Sequence, residues 1–272
     1  GGGGINVARG LRRLGTQCLA VTTSGGFNGA MLQQRLRAQD IAFRSIEVTA
    51  ETRENLTVFD RGANKQYRFV LPYGNSQPIA LEEIRSILRS VEPGPSYVVA
   101  SGSLPSNMPR DSYARIAEMV GELGARFILD TSGEPLIAAI EKPVFLMKPN
   151  LAELGALVGR DELEGEEVTE AISTVIQEHP CEVLVVSLGA AGAYLGTAGG
   201  VRHVPAPIVK PRSTVGAGDS MVAGIVHGLY SGMDLPDAMR LGVACGSAAT
   251  LTPGSELFER DVALRLYEGL KG

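Results

Sequence analysis

Residues 213–220 (STVGAGDS) lead directly into an apolar, helix-like stretch and have the residue types needed for phosphoryl transfer to an alcohol. Glycines just before a helix allow backbone N–H groups to converge on an anion, and the helix dipole adds to the attraction. Asp219 would stand beside Gly216, Ala217 and Gly218, where a carboxylate can accept the proton of a hydroxyl nucleophile. The alternative is that Asp219 only caps the helix. The run is neither a P-loop nor a dinucleotide fingerprint, because GxxxxGKS/T is absent and position 221 is Met.

A second segment, residues 148–153 (KPNLAE), follows the apolar run 144–147. In α/β sheets, ligands gather outside the carboxyl ends of the strands. Asn150 and Glu153 are three residues apart at the start of a helix, and together they could hold a hydrated Mg²⁺ through oxygen ligands. Alternatively, the same two residues form a capping box, with Asn150 as the N-cap and Glu153 reaching back to it.

Two further glycine-rich segments could touch a ligand with the backbone. Residues 1–9 (GGGGINVAR) include Asn6, which offers a donor and an acceptor to a polyol; the alternative is a simple turn before a helix. Residues 186–193 (VSLGAAGA) place small residues at the end of an apolar run, where a flat ligand such as a nucleotide could lie. A tight turn between two strands is the alternative there.

Two polar positions could contact a phosphorylated sugar. Arg53, in residues 52–55 (TREN), is suited to bidentate recognition of a phosphate monoester, although a solvated surface arginine is the alternative. Ser101 and Ser103 end another apolar run and could form the floor of a sugar site, or belong to an ordinary strand-to-helix loop.

The elements that must position these residues alternate between short strands and helices. Nearly continuous apolar runs, typical of parallel strands covered on both faces, occupy 18–22, 97–100, 127–130, 144–147 and 183–186. Stretches with helical periodicity occupy 5–14, 30–38, 81–91, 112–123, 168–178, 217–230, 235–251 and 261–270. This order predicts an α/β fold with a mostly parallel sheet.

One region departs from this alternation. Between positions 45 and 71 apolar residues alternate with polar ones, and residues 60–65 (DRGANK) have the composition of a hairpin loop. No helix separates these strands, so we expect an antiparallel patch outside the main sheet, either a lid over a site or a plain edge hairpin. The predicted domains are therefore a main α/β domain over 1–44 and 73–272 and a lid over 45–72.

Composition excludes several classes of function. The chain has 272 residues, enough for one large domain, and 25 basic against 30 acidic side chains give a net charge of −5. With 5% aromatic residues and no basic stripe, a nucleic acid partner is not expected. Cys18, Cys181 and Cys245 form neither a disulfide framework nor a CxxC site, which predicts a reduced, cytoplasmic setting. No apolar run has the length of a membrane span.

The order of the motifs GGxGxNxAR, SGSLP, KPNxxE, SLGxxG and TVGAGDS resembles the ribokinase-like sugar kinases of the phosphofructokinase B type. The likeness covers the whole chain, and GAGD is its most specific element. The stretches GGGGINVAR, QYRFVLP, DTSGE, KPNLAEL, STVGAGDSMV and GVACGSAATL are most similar to the 6-phosphofructokinases within that family. The resemblance implies a three-layer α/β/α fold with a mostly parallel central sheet and a small β-sheet lid.

The resemblance also implies roles for the residues named above. Asp219 would be the catalytic base, Gly216, Ala217 and Gly218 the anion hole, and Asn150 and Glu153 would organise Mg²⁺ and the phosphates. Fructose 6-phosphate would be held by Gly3, Gly4, Asn6, Arg53, Ser101 and Ser103. The nucleotide would lie against Ser187, Gly189, Gly192, Thr214 and Lys148. A monovalent cation such as K⁺ would bind at Ser213, Val215, Ala249, Thr252 and Gly254.

This sequence differs from the family pattern in two respects. Members of the family carry a segment before the glycine run, with a central strand and an aspartate that contacts the sugar, so we expect that a preceding segment is missing here. Ala152 stands where close relatives have a basic residue near the nucleotide, which weakens one expected phosphate contact.

The expected activity is ATP-dependent phosphorylation of fructose 6-phosphate at its 1-hydroxyl, with ATP as co-substrate, Mg²⁺ as cofactor and a homodimer formed through the lid. Related kinases of tagatose 6-phosphate or fructose 1-phosphate are the alternatives of the same class. A nucleotide or sugar-phosphate binding protein without catalysis is the alternative of another class.

Overall fold

The computed structural model describes residues 2–60, 62, 65–71, 78–105 and 107–271. This part of the chain contains ten α-helices and ten β-strands. The helices are α1 Gly3–Leu14, α2 Gly26–Ala38, α3 Leu81–Arg89, α4 Ser112–Glu122, α5 Glu134–Ile140, α6 Leu151–Leu157, α7 Glu166–Glu178, α8 Ala217–Tyr230, α9 Leu235–Thr250 and α10 Arg260–Gly269. The strands are β1 Leu19–Ser24, β2 Ala42–Glu47, β3 Asn55–Asp60, β4 Lys65–Val70, β5 Tyr97–Ser101, β6 Arg126–Asp130, β7 Val144–Met147, β8 Cys181–Ser187, β9 Ala193–Thr197 and β10 Gly200–Val204.

The main sheet has six strands in the order β10-β9-β8-β7-β6-β5. Strands β5 to β8 pair in parallel, whereas β8-β9 and β9-β10 pair antiparallel. Because the four parallel strands end at one edge, the loops that follow them are gathered there. The expected α/β fold with a mostly parallel sheet is confirmed.

Helices cover both faces of this sheet, which produces the expected three layers. Successive residues of β8 point alternately to the two faces: Val183 and Val185 pack with residues of α1, α8 and α9, while Leu184 and Val186 pack with residues of α4 to α7. All four side chains are buried, so the near-continuous apolar run of this strand reflects burial on both faces.

Helix α8, which carries the GAGD motif, is held tightly against α9. A methyl group built on Gly224 would lie 2.8 Å from the Cα atom of Gly242, so only glycine permits this close approach of the two backbones. Residues 220–226 of α8 are all buried. The start of this helix is therefore fixed by packing along its length.

Two smaller sheets lie outside the main one. Strands β1 and β2 pair in parallel, and β3 and β4 pair antiparallel with Leu56 opposite Phe69. Two expectations were wrong here. The run 18–22 forms a strand that pairs with β2 rather than with the main sheet, and residues 45–47 belong to this parallel pair rather than to an antiparallel patch. Helix α2 makes the crossover between β1 and β2, so the antiparallel pairing starts only at Asn55.

The antiparallel β3–β4 hairpin itself was expected, but most of its loop (61, 63 and 64) lies outside the described residues. The division into a main domain and a lid over 45–72 stays a prediction. None of the helices in the described part of the chain combines the length and apolar character needed to cross a membrane.

Candidate active site

Asp219 stands at the third position of α8, one turn from the helix N-cap. The N-cap is Gly216, whose φ of 77° lies in the left-handed region that favours glycine. No side chain among the described residues caps this helix end. Its first backbone N–H groups, at Ala217 and Gly218, follow the glycine turn directly, and that of Ala217 makes a long hydrogen bond of 3.3 Å to the Thr214 carbonyl. Together with the helix dipole, these groups form an N-terminus able to receive an anion.

The carboxylate of Asp219 is held by residues from two other elements. Asn6 of α1 donates its side-chain amide to Asp219 Oδ2 at 2.8 Å, and the Ser101 hydroxyl at the end of β5 donates to Oδ1 at 3.4 Å. A methyl group built on Gly3 would lie 2.1 Å from Ser101 Oγ, so α1 meets β5 where only glycine fits. Gly3, Asn6 and Ser101 are thereby gathered around Asp219, with Gly4 one residue along the same helix.

Burial raises the pKa of Asp219 above the ordinary value of an aspartate. The hydrogen bond from Asn6 lowers this pKa, the nearby negative charge of Asp130 raises it, and Lys148 and Ser101 lower it again. Burial outweighs the opposing contributions, so Asp219 is a stronger proton acceptor than an exposed aspartate.

A buried ion pair lies next to this carboxylate. Lys148 Nζ and Asp130 Oδ1 are 3.0 Å apart, with only 7% and 15% of the two side chains exposed. A methyl group built on Gly218 would lie 3.3 Å from Lys148 Nζ, so the ammonium group stands beside the start of α8. The sequence predicts a role for Lys148 and none for Asp130. The signal that could have found Asp130 is its place at the carboxyl end of β6, next to the strand that leads into Lys148.

Asn150 and Glu153 form a complete capping box at the start of α6. Glu153 N donates to Asn150 Oδ1 at 2.9 Å, and Asn150 N donates to Glu153 Oε2 at 2.8 Å. Burial raises the pKa of Glu153, while Lys148 lowers it, so Glu153 is within electrostatic reach of the ion pair. Asn150 also bridges to Ser187 at the end of β8, which brings one predicted nucleotide residue beside the KPN segment.

The other predicted nucleotide residues lie in two loops. Gly189 begins a short 3₁₀ turn between β8 and β9 and Gly192 follows it, with φ values of 59° and 100°. A methyl group on Gly192 would lie 2.1 Å from the Val204 carbonyl oxygen at the end of β10, so only glycine fits where this turn meets that strand. The contact of these glycines with a nucleotide stays a prediction. Thr214 is exposed just before the N-cap of α8.

The five residues predicted for a monovalent cation form two hydrogen-bonded groups. The Ser213 hydroxyl donates to the Gly254 carbonyl at 3.0 Å and accepts from Val215 N at 3.2 Å. The Thr252 hydroxyl donates to the Ala249 carbonyl at 2.9 Å. Backbone bonds from residues 212 and 213 to the carbonyl at 250 join the two loops.

Arg53 and Ser103 lie in connecting segments. Arg53 is half-buried in residues 51–54, and its neighbour Thr52 accepts a hydrogen bond from Gly25 N at 3.0 Å. Ser103 is exposed in the loop after β5, two residues beyond Ser101. Their predicted contacts with a sugar phosphate stay predictions.

Taken together, the carboxyl ends of β5, β6 and β7 supply Ser101, Asp130 and Lys148 near the first turn of α8, and the end of β8 supplies Ser187 beside Asn150. The centre combines a proton acceptor of raised pKa, an open helix N-terminus and a buried ammonium group. This arrangement can deprotonate a hydroxyl group while it stabilises a transferring anion.

Comparison with known proteins agrees with this chemistry. A family model described as pfkB family carbohydrate kinase matches residues 1–260. The ATP-dependent 6-phosphofructokinase isozyme 2 of Mycobacterium tuberculosis is 40% identical over 268 residues, which cover 98% of this chain and 79% of that protein. The 1-phosphofructokinase of Bacillus subtilis is 36% identical over 263 residues, covering 95% of this chain and 84% of that protein.

Solved structures of phosphofructokinase-2 from Escherichia coli have the same architecture. The complex with fructose-6-phosphate superposes with a TM-score of 0.91 at 34% identity, and the complex with potassium with a TM-score of 0.91 at 36% identity. Each alignment covers 100% of this chain and 88% of the solved chain.

Proposed function

We propose, since the chain belongs to the pfkB family of carbohydrate kinases, that it transfers the γ-phosphoryl group of ATP to the 1-hydroxyl of fructose 6-phosphate. The family places it among the phosphotransferases that act on an alcohol group. The observation that carries the proposal is the carboxylate of Asp219, partly buried, oriented by Asn6 and set at the open N-terminus of α8.

In this mechanism Asp219 accepts the proton of the 1-hydroxyl while the oxygen of that hydroxyl attacks the γ-phosphorus in line. The bond between the γ-phosphorus and the oxygen of the β-phosphate breaks, and ADP leaves. The backbone N–H groups of Gly216, Ala217 and Gly218 receive the negative charge of the transferring group. Lys148 stands beside Gly218, and we assign it to the nucleotide phosphates. Both oxygens of Asp219 accept a hydrogen bond, Oδ2 from Asn6 at 2.8 Å and Oδ1 from Ser101 at 3.4 Å. Because the bond to Oδ1 is the longer one, we assign the proton of the 1-hydroxyl to Oδ1.

Mg²⁺ suits the oxygen donors of Asn150 and Glu153. Among the described residues, no three His, Cys, Asp or Glu side chains are grouped so as to hold a metal ion. We therefore assign Asn150 and Glu153 to Mg²⁺ held through water and the substrate phosphates. When bound, the metal neutralises charge on those phosphates.

The remaining assignments follow the same site. ATP lies against Ser187, Gly189, Gly192 and Thr214, and the sugar phosphate against Gly3, Gly4, Asn6, Arg53, Ser101 and Ser103. A monovalent cation binds where Ser213, Val215, Ala249, Thr252 and Gly254 meet; the potassium complex of the E. coli relative supports this choice. The proposed setting is the cytoplasm.

The proposed dimer forms through the β3–β4 hairpin. Leu56 lies opposite Phe69 and Val58 opposite Tyr67, and all four side chains are exposed. A two-stranded sheet with such an apolar surface is stabilised when a partner covers it. We expect Phe69→Lys to lower the mass measured by sedimentation from a dimer to a monomer, whereas Ile208→Lys, at a fully exposed position elsewhere, leaves the dimer intact. A wild-type chain that sediments as a monomer or tetramer would contradict the dimer.

The substrate is tested by measuring ADP release with fructose 6-phosphate, tagatose 6-phosphate, fructose 1-phosphate and fructose, each with and without Mg²⁺. We expect the highest kcat/KM for fructose 6-phosphate and no rate without Mg²⁺. The second candidate is fructose 1-phosphate, favoured by the similarity to 1-phosphofructokinases. Both substrates yield the same bisphosphate, so kcat/KM must decide between them. ATP binding without turnover on any sugar would instead indicate a binding protein.

A further inference from the structure

Arg9 of α1 makes three hydrogen bonds with its guanidinium group. Nε donates to Gln39 Oε1 at 2.9 Å, and Nη1 donates to the Ser255 carbonyl at 3.1 Å and to Asn6 Oδ1 at 3.4 Å. The group is half-buried, so these partners replace part of its contact with water. Arg9 belongs to the GGGGINVAR segment, and its residue type and position alone indicate no chemical role.

The contact with Asn6 determines which way the Asn6 amide faces. A guanidinium group can only donate, so the amide oxygen must face Arg9 and the NH₂ group must face Asp219. If the amide were flipped, its NH₂ would oppose the guanidinium and its oxygen would oppose the carboxylate of Asp219. Both contacts would then be repulsive.

We propose that Arg9 is a positioning residue for the phosphoryl transfer, acting through Asn6 to keep an amide N–H donated to Asp219 Oδ2. This inference rests on the proposed function of Asp219 as the base. With Oδ2 occupied, the carboxylate is held in one orientation and Oδ1 faces Ser101 and the proposed sugar site. Loss of Arg9 frees the Asn6 amide to turn and leaves Asp219 Oδ2 without a fixed donor, so that only the longer bond from Ser101 to Oδ1 is kept.

Arg13 provides a matched control on the same helix. It follows Arg9 by four residues, so it lies on the same face, and its guanidinium donates to the Phe258 carbonyl of the loop that Arg9 contacts at Ser255. Burial lowers the pKa of Arg9 and of Arg13, so the two groups are in similar surroundings. The two arginines differ in that Arg9 donates to Asn6.

The kinetic test compares Arg9→Met with Arg13→Met. We expect Arg9→Met to lower kcat by about 10- to 100-fold with a smaller change in KM, and Arg13→Met to leave kcat within a factor of about two. The acid limb of kcat/KM should move to higher pH in Arg9→Met only, because the bond from Asn6 lowers the pKa of Asp219. Asp130 and Lys148, the charged groups near Asp219, are unchanged in both variants.

A double-mutant cycle separates positioning from a merely structural role. In an Asn6→Ala background, Arg9→Met should have no further effect on kcat, because its route to Asp219 is already lost. Equal kcat and equal acid limbs for Arg9→Met and Arg13→Met, or additive effects in the cycle, would overturn the inference. If Arg9→Met does not fold, Arg9→Lys replaces it, with a kcat expected between those of wild type and Asn6→Ala; a wild-type kcat would then count against the role.

A measurement that requires no catalysis distinguishes a failure of this inference from a failure of the proposed function. The ¹⁵N resonance of the Asn6 side-chain amide, assigned by its loss in Asn6→Ala, should shift in Arg9→Met and stay in place in Arg13→Met. An unchanged resonance in Arg9→Met overturns the inference even if the wild-type chain phosphorylates no sugar. A shifted resonance with no wild-type turnover would contradict the proposed function and support the contact.

Discussion

Helices α6 and α8 begin near each other at the carboxyl edge of the main sheet, and each has an acidic residue at its third position. In α6 the N-cap is Asn150, and Glu153 and Asn150 satisfy each other's backbone N–H groups. In α8 the N-cap is Gly216, which has no side chain to offer, and Asp219 accepts hydrogen bonds from Asn6 and Ser101 instead. These donors are 213 and 118 residues away along the chain.

The comparison shows how one local pattern yields two different sites. The start of α6 is closed by its own side chains, which is a stabilising arrangement that local sequence can specify. The start of α8 is left open to an anion, and its carboxylate is oriented by distant elements. Burial raises the pKa of both acids, so burial alone does not distinguish the cap from the base; the partners do.

Among the substitutions that test this difference between α6 and α8, Asp219→Asn should have the largest effect. It removes the proposed base and keeps the shape of the side chain. We expect kcat to fall by about 10²- to 10⁴-fold, with little change in ATP and sugar-phosphate binding measured by calorimetry. The free energy of unfolding should not fall, because the substituted amide can still accept from Asn6 through its oxygen and no charge is buried. A variant with near-wild-type kcat would show that Asp219 is not the base.

Ionisation of Asp219 should affect rate and stability in opposite directions: as the pH rises, kcat/KM should increase and the free energy of unfolding should decrease. Asp219 must be ionised to accept a proton, so kcat/KM should fall as pH drops through a limb above the ordinary aspartate value of about 3.9. Because burial raises the folded-state pKa of Asp219, ionisation disfavours the folded state. The free energy of unfolding of the wild-type protein should therefore decrease as the pH rises from the pKa of Asp219 in the unfolded chain to its higher pKa in the folded protein. In urea titrations at a series of pH values, the unfolding free energy of Asp219→Asn minus that of wild type should increase between these two pKa values and stay constant at higher pH.

Two substitutions of Glu153 distinguish its contribution to the helix cap from its proposed contribution to Mg²⁺ binding. Glu153→Gln keeps an acceptor for Asn150 N but loses the charge, so we expect an unfolding free energy within about 0.5 kcal/mol of wild type. The Mg²⁺ concentration for half-maximal rate should rise by about tenfold. Glu153→Ala loses the cap as well and should cost about 1 kcal/mol more in stability.

Glu167→Gln is the matched control for this prediction. Glu167 accepts from Glu164 N at the start of α7 and is exposed, so its charge has no proposed metal role. The Mg²⁺ dependence of this variant should equal that of wild type. If Glu153→Gln also leaves the Mg²⁺ dependence unchanged, Glu153 is a helix cap and no more.

The sequence predicted those elements whose signal is local. Helix α8 has the expected bounds, Ala217–Tyr230, and β7 has the expected bounds, Val144–Met147. For α6 only the start at Asn150 was predicted, because seven residues are too few to show a helical period. Strands β9 and β10 were missed because glycines interrupt their apolar pattern. The pairing of β1 with β2 depends on contacts between distant segments, which periodicity does not contain.

The site residues, like the elements of the fold, were predictable where their signal is local in sequence and not where it depends on contacts between distant segments. The open start of α8 was predictable because its glycines and acid are adjacent in sequence. The Asp130–Lys148 ion pair was not, because it requires β6 to lie beside β7. The bond from Asn6 to Asp219 joins the first and last thirds of the chain, and the resemblance had placed Asn6 on the sugar, not on the base. Sequence therefore identified the reacting group better than the residues that orient it.

The fourth position of α8 gives the smallest predicted effect. Leu154 in α6 and Ser220 in α8 are both fully buried, and Ser220 Oγ has no hydrogen-bond partner among the described residues. A buried hydroxyl without a partner carries an uncompensated desolvation cost. Ser220→Ala should therefore change the unfolding free energy by less than about 1 kcal/mol, toward greater stability, with kcat unchanged, as measured by urea unfolding and steady-state kinetics. A loss of kcat in Ser220→Ala would instead give the hydroxyl a partner in the working enzyme, and would extend the open site of α8 one residue beyond its base.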